Sequence, residues 1–409
     1  MDFYFIKHKS LINVASVWVS GGSDKDINHK RGINQILSSL LIRGCEGYDN
    51  FQLSDYIDSY GADLNCETYE DGILINLKSI KLYFKDVYPI LKLIIEKPIL
   101  CRKQFEICKH DIKNHIKKSK ENPFNIAFEN WRKIVYKNHP YAYDTNGCLN
   151  NINNIYYEDI LEEYKDFKKR EKVLLSNHYD QNMQSLNSLV FNESSNKSFS
   201  KDFTYEKNKS NQYNRKCKVH FQNTNQLVIL LGKETCSYKN NDFLNLKLLE
   251  SYLAFGMSSK LFRIFREKKG LTYDAGVFNP LRKYSAPFLI YLSSSPLNCL
   301  EAFKNLLNLW DQITSSILSK DELDLAKIKL TSAILVSSQT TEEIINRKVQ
   351  LIGLDMDHET DEKFTQRISK INAKDILETA QKYLLNPSLS ISGKESYCYQ
   401  IRKLWQDRF

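Results

Sequence analysis

The sequence predicts an α+β protein of two homologous lobes, each a largely antiparallel sheet covered by helices, joined by a polar linker. Three observations predict it. The chain has 409 residues, more than one hydrophobic core usually serves, which favours two domains. Short β-rich runs open each half and helical runs follow, the order expected of helices packed on a sheet. Two landmarks also recur at nearly one spacing: Gly256 follows Gly44 by 212 residues, and Asp375 follows Asp159 by 216. A period of that length describes a duplicated lobe rather than a solenoid.

The elements follow in order. Residues 11–19 are apolar and β-branched and stop at Gly21-Gly22, so they read as a strand. Ile33, Ile36, Leu37, Leu40 and Leu41 share one helical face over 32–42, and Gly44 closes that helix. A second helix spans 51–60 and ends at Gly61. An extended piece at 73–77 precedes helices at 80–96, 102–120, 124–137 and 157–168, and a strand follows at 173–176. In the second half, 226–231 is a strand ending at Gly232, and the helix 243–255 closes at Gly256. Late in each half a similar phrase leads through a helix to a strand: Glu158-Asp159-Ile160-Leu161-Glu162 and Lys374-Asp375-Ile376-Leu377-Glu378. The stretch 192–216 is polar with little to bury, which places the linker there between lobes at 1–191 and 217–409.

Composition narrows the function classes. A hydrophobic fraction of 42% suits a folded soluble chain. The net charge of +9 is spread among acids rather than gathered in a block, so it predicts a mild preference for acidic partners and no nucleic-acid footprint. Nine cysteines, with no Cys-x-x-Cys pair and no signal peptide, predict a reducing compartment: the cytoplasm or an organelle stroma. No apolar run is long enough to span a bilayer, and no membrane partner is expected.

The informative segment runs from Gly32 to Cys45, Gly-Ile-Asn-Gln-Ile-Leu-Ser-Ser-Leu-Leu-Ile-Arg-Gly-Cys. Its frame resembles the signature helix of the pitrilysin/insulinase-type zinc metallopeptidases, in which His-x-x-Glu-His is followed by Lys-Gly-Thr. Two histidines four apart share a helix face and reach one Zn²⁺, and the glutamate serves as general base. Aligned on the glycines, the three positions are Gln35, Ser38 and Ser39. A neutral amide is a poor zinc ligand and serine hydroxyls supply neither ligand nor base near pH 7. The resemblance places the third ligand, a glutamate, near Asp111 to Ile116, and that stretch contains none. His110 and His115, five apart, are poorly spaced for one helix face, and His139 before a proline reads as a loop residue. No metal is therefore expected in this chain.

Other segments carry the resemblance further. Gly61 to Thr68 is similar to the family's Gly-x-x-x-Asn-Ala-x-Thr, with Cys66 in place of alanine. There the resemblance implies an edge strand that takes substrate by β-augmentation, with Asn65 and Thr68 as substrate-contact candidates. Asn122-Pro123-Phe124, Ala127-Phe128, Trp131-Arg132 and His139-Pro140-Tyr141 resemble the family's following helix and loop. Ser258-Ser259-Lys260-Leu261-Phe262 followed by Phe265-Arg266-Glu267-Lys268-Lys269-Gly270-Leu271-Thr272-Tyr273 resembles its Arg/Tyr phrase. In active relatives that pair binds the substrate backbone and stabilises the developing oxyanion, which implies the same role for Arg266 and Tyr273.

The zinc side is lost and the Arg/Tyr side is kept. The resemblance thus implies a non-catalytic subunit of a heteromeric zinc endopeptidase acting on peptides, with the zinc in a paralogous partner. The alternative is a scaffold of the respiratory-complex core type, or a pseudoenzyme that binds peptides without cleaving them. A processing-peptidase non-catalytic subunit is a third reading, against which stands the single glycine in Ala254 to Ser258, where such a subunit carries a glycine-rich loop.

Overall fold

A computed structural model of the chain describes residues 2–178, 215–267, 270–356 and 360–408. It contains two five-stranded sheets of the same topology. The first has the order β1 (Asp2–Phe5), β5 (Lys172–Ser176), β2 (Ile12–Ser20), β4 (Gly72–Ile80), β3 (Asp63–Thr68). The second has the order β6 (Cys217–Phe221), β10 (Ser388–Gly393), β7 (Leu227–Glu234), β9 (Pro287–Ser294), β8 (Thr272–Phe278). In each, only the pair at one edge is parallel (β1 with β5, β6 with β10) and the rest are antiparallel. The two phrases that recur in the sequence open matching helices, α7 (Tyr157–Lys169) and α13 (Ala373–Leu384), and each feeds the strand beside the sheet's centre, β5 or β10.

Strand β2 shows what each sheet requires. From Asn13 to Val19 every residue is buried, so both faces are covered. Successive side chains point to opposite faces. Ala15, Val17 and Val19 enter the core shared with α1 (Ile33–Leu41), α3 (Phe84–Glu96) and α4 (Arg102–Ser119). The alternate residues face a different helix, α11 (Thr341–Gly353), where Ser16 Oγ lies 2.6 Å from Asn346 Oδ1. Lys78 Nζ and Asn76 Nδ2 donate to the two oxygens of Glu342 on the same helix, at 2.7 and 2.6 Å. Trp18 is buried between two glycines, Gly72 and Gly353, whose missing Cβ atoms make room for the indole.

The second sheet is covered in the same way by a helix from the other half of the chain. Helix α5 (Pro123–Tyr136) packs on β10, β7 and β6. Asn122 caps it by accepting from Phe124 N, and Pro123 takes the first turn, where no amide donor is needed. Trp131 Nε1 donates to Ser388 O at 3.2 Å and Lys216 Nζ to Ile134 O at 2.7 Å.

The compact units are therefore not the contiguous stretches 1–191 and 217–409 that the sequence predicts. One comprises the described residues within Met1–Lys117, Tyr143–Tyr205 and Val336–Thr360; the other those within Lys118–Ala142, Glu206–Leu335 and Asp361–Phe409. The difference has a physical cause: an amphipathic pattern states that a helix must cover a sheet face, not which sheet. Of the predicted linker, only Arg215 and Lys216 are described; 192–214 lie outside the described residues.

The Trp18 cradle yields a prediction. A Cβ on Gly353 would lie 1.9 Å from Trp18 Cδ1. Gly353→Ala removes a helix glycine, ordinarily a gain of about 1 kcal/mol, yet is expected to destabilise the protein by about 1–3 kcal/mol through overpacking. A lowered urea midpoint at unchanged slope is the expected reading.

Candidate functional site

Helix α1 starts from an ordered loop. Gly32 adopts φ 97, and a Cβ there would meet Asn146 O at 2.6 Å, so the position requires glycine. Asp26 anchors the start of the helix: Gly32 N donates to Oδ2 at 2.6 Å, and Asn34 Nδ2 to Oδ1 at 2.8 Å. Asn34 Oδ1 in turn accepts from Arg170 at 2.8 Å, and Arg170 pairs with Glu163 of α7. Burial pushes the Asp26 carboxyl up to about 6 despite these donors, and burial likewise raises Glu163.

Along α1, Gln35 and Ser39 are half-buried and Ser38 is buried. The Ser38 and Ser39 hydroxyls donate to the Gln35 carbonyl at 3.0 and 2.9 Å. Thr68 Oγ1, at the end of β3, donates to Ser38 Oγ at 2.7 Å. Helix and edge strand are thus joined by hydroxyls at the positions where a metal would be held. These groups do not fit a zinc ion: none is anionic or an imidazole, and the buried serine already has its donor and acceptor engaged. Among the described residues no group of three or more His, Cys, Asp and Glu side chains is placed to hold a metal. On α4, Ile112 and Ile116 lie in the core, Asp111 pairs with Arg43 at 3.8 Å, and His115 is exposed. His110 lies beside Asn114. His139 is buried among Tyr136, Tyr141 and Tyr284 rather than facing a ligand.

Strand β3 is one of the two edges of the first sheet, with no strand on its outer side among the described residues. Asn65 is exposed and donates to Glu67 Oε1 at 2.8 Å, on the face opposite Cys66, which is buried. Thr68 lies on the Cys66 face, against α1. The structure does not bring Asn65 and Thr68 to one spot: Asn65 is on the open face, and Thr68 supports the strand from beneath.

In the second unit, Arg266 lies in a π-helical turn, Phe262–Glu267, and Tyr273 in β8, the free edge of its sheet. The turn between them closes by Gly270 N to Arg266 O (3.2 Å) and Leu271 N to Phe265 O (2.7 Å), with Gly270 at φ 55. Both side chains are exposed, Tyr273 by 63%. Arg266 stacks over Phe262, its carbon 5.4 Å from the ring centre. Among the described residues neither the guanidinium nor the phenol has a hydrogen-bond partner, so both donors are open to a ligand.

Sequence reasoning missed one constellation. Gly256 lies 212 residues after Gly44, and that offset carries Gln35, Ser38 and Ser39 onto Lys247, Glu250 and Ser251 of α8 (Asp242–Ala254). Glu250 is buried, and Lys247 Nζ donates to its Oε2 at 2.8 Å and to Asn279 O at 2.5 Å, just beyond β8. Burial raises the Glu250 carboxyl, against the pull of Lys247. The second unit thus carries a buried carboxylate at the position the offset equates with Ser38, paired with an ammonium. The glycine spacing was the signal that could have found it.

A two-unit peptidase-type α+β fold, with a remodelled helix where an inverted zinc motif would sit, defines the class. The chain belongs to the insulinase family, peptidase family M16: residues 7–148 match the model for insulinase (peptidase family M16), and residues 162–330 match that for the peptidase M16 inactive domain. It is 24% identical over 373 residues to an uncharacterized zinc protease of Rickettsia felis, covering 88% of this chain and 87% of the relative. It is 20% identical to the uncharacterized zinc protease YmxG of Bacillus subtilis, over 87% and 86%. The mitochondrial-processing peptidase subunit alpha of Caenorhabditis elegans is 25% identical over 190 residues, 44% of this chain and 37% of that one. Among solved structures, a protease from Helicobacter pylori matches with TM-score 0.85 at 15% identity, over 95% of this chain and 96% of that one. A peptidase M16 inactive domain from Pseudomonas fluorescens matches with TM-score 0.82 at 16%, over 96% and 94%. At these identities the structures establish the fold.

Two predictions follow from the buried charges. An acid whose folded pKa exceeds its unfolded value holds an extra proton in the native state, so its contribution to stability falls as pH rises between the two. For Asp26 that window runs from 3.8 to about 6. The stability difference between wild type and Asp26→Asn should fall by up to about 3 kcal/mol from pH 4 to pH 7; a constant difference in urea unfolding would contradict it. Lys247→Met strands a buried carboxylate and should cost about 3 kcal/mol at pH 7, with Lys247→Met/Glu250→Leu recovering most of it.

Proposed function

We propose that this chain is a non-catalytic subunit of a heteromeric insulinase-type zinc metalloendopeptidase, contributing Arg266 and Tyr273 to substrate and transition-state binding in trans. One contrast carries the reading. Ser38, at the base position of the family motif, is buried and committed to Thr68 and the helix backbone, whereas Arg266 and Tyr273 are exposed with their donors unengaged. A zinc ion and a general base are supplied by a paralogous partner bearing His-x-x-Glu-His; this chain's α1 offers neither. The match of residues 162–330 to the inactive-domain model and the similarity to a processing-peptidase subunit support the same reading.

The chain's own contributions are positional and electrostatic. The free edge of β3 pairs an extended peptide through backbone groups, with Asn65 on the open face and Thr68 holding the strand to α1. The Arg266 guanidinium and Tyr273 phenol donate to the scissile carbonyl oxygen as charge develops on it. Unfolded peptides are the substrate class, in the cytoplasm or an organelle stroma.

The test is a peptide-cleavage assay on the pair purified with its zinc-bearing partner. Arg266→Ala and Tyr273→Phe should each lower kcat/KM by about 10²-fold while the pair still assembles. Unchanged rates in both variants leave a scaffold and sink the proposal. Gln35→His/Ser38→Glu/Ser39→His alone should remain inactive, because 111–116 supplies no third ligand.

A further inference from the structure

One end of the first sheet, away from α1, carries an apolar surface with a basic rim. Ile12 and Ile80 are cross-strand partners at the start of β2 and the end of β4, each 45% exposed. Beside them two turns project. Leu11 is 86% exposed in one and Leu82 is 74% exposed in the other. Lys81 N donates to Leu11 O at 2.8 Å, so the two turns are tied into one platform. Tyr83, 39% exposed, completes it and sits edge-on to Tyr60 at 5.6 Å. Singly exposed apolar residues are ordinary, whereas five close together on a tied pair of turns form a patch of the kind that marks an interaction site.

The charges around the patch say which partner. Lys7, Lys9, Lys81 and Lys85 are all exposed, and Asp86 is the one carboxylate within residues 7–12 and 80–86. Lysine is depleted in protein–protein interfaces. Leucine tips, an interfacial tyrosine and a lysine rim are instead the composition of surfaces that rest on anionic lipid. Long lysine side chains let the apolar tips enter the acyl boundary while the ammonium groups stay among headgroups. We propose that this end of the first unit docks on an anionic lipid surface, with Leu11 and Leu82 entering the interface and the four lysines meeting the headgroups. The association is peripheral, since no helix among the described residues is long and apolar enough to cross a membrane. It departs from the sequence expectation of no membrane partner, which rested on the absence of a spanning run.

Co-sedimentation of the full chain with vesicles tests it, using phosphatidylcholine alone and phosphatidylcholine with about 30% phosphatidylserine, in ~0.1 M salt. Expected is binding to the anionic vesicles, weak binding to the neutral ones, and loss of binding toward ~0.5 M salt as the charges are screened. Leu11→Asp/Leu82→Asp should weaken binding by about tenfold or more, and Lys7→Glu/Lys9→Glu/Lys81→Glu should weaken binding to the anionic vesicles alone. All these side chains are exposed, and an unchanged urea midpoint separates lost docking from lost folding. No binding to anionic vesicles, or equal binding by the leucine variant, overturns the proposal. So does a soluble acidic protein whose binding is lost in that variant while wild type ignores vesicles.

Discussion

The central strands of both sheets are buried on both faces, and that constraint organises the rest of the structure. A strand such as β2, apolar at odd and even positions alike, cannot leave either face to water without exposing Val, Ala or Trp side chains. Two layers of helix per sheet are needed. The chain meets the need by exchange: α11 from the second half covers the first sheet, and α5 from the first half covers the second. The polar groups on the α11 side, Ser16, Asn76 and Lys78, match Asn346 and Glu342 on that helix, so the cover is specific as well as apolar. A contiguous half of the chain therefore lacks one layer of its own core.

The duplicated topology sets one local problem twice, with two solutions. In each unit a helix packs on the edge strand that follows it, a place where polar groups must be satisfied once water is excluded. In α1, serine hydroxyls return their protons to the helix backbone and Ser38 accepts one from Thr68. In α8, Lys247 supplies a cation to Glu250 and to the carbonyl beyond β8. Each solution fastens helix to strand without a metal. The second keeps a buried ion pair, which is strongly destabilising when halved and far less so when replaced whole.

Much of this was legible in the sequence because it is local. Strand β2, helix α1 and its closing glycine, α2 (Asn50–Ser59) and α7 follow from period and punctuation, and the recurring phrases mark the strands β5 and β10 as equivalent. The glycine frame around Gln35, Ser38 and Ser39 follows from sequence, and the structure adds that Ser38 is buried and bonded to Thr68. What was not legible depends on distant pairing. Strands β1 and β6 are short edge strands whose identity comes from the parallel neighbour. The exchange of α5 and α11 is invisible to periodicity. The i, i+3 spacing of Lys247 and Glu250 does not by itself show that the pair is buried and tied to Asn279.

The distribution of what is kept and what is replaced is itself an argument. On the inward face of α1, Ser38 and Ser39 donate to the helix backbone and Ser38 accepts from Thr68, so the buried hydroxyls are satisfied within this unit. Arg266 and Tyr273 are under no such constraint: they stand on a turn closed by backbone bonds and a left-handed glycine, and no polar partner depends on them. Packing gives no reason to retain that pair, because removing either side chain opens no cavity and orphans no donor or acceptor. That supports the proposed reading, in which an extended peptide with a carbonyl to be polarised is the ligand whose chemistry a guanidinium and a phenol on a strand edge suit.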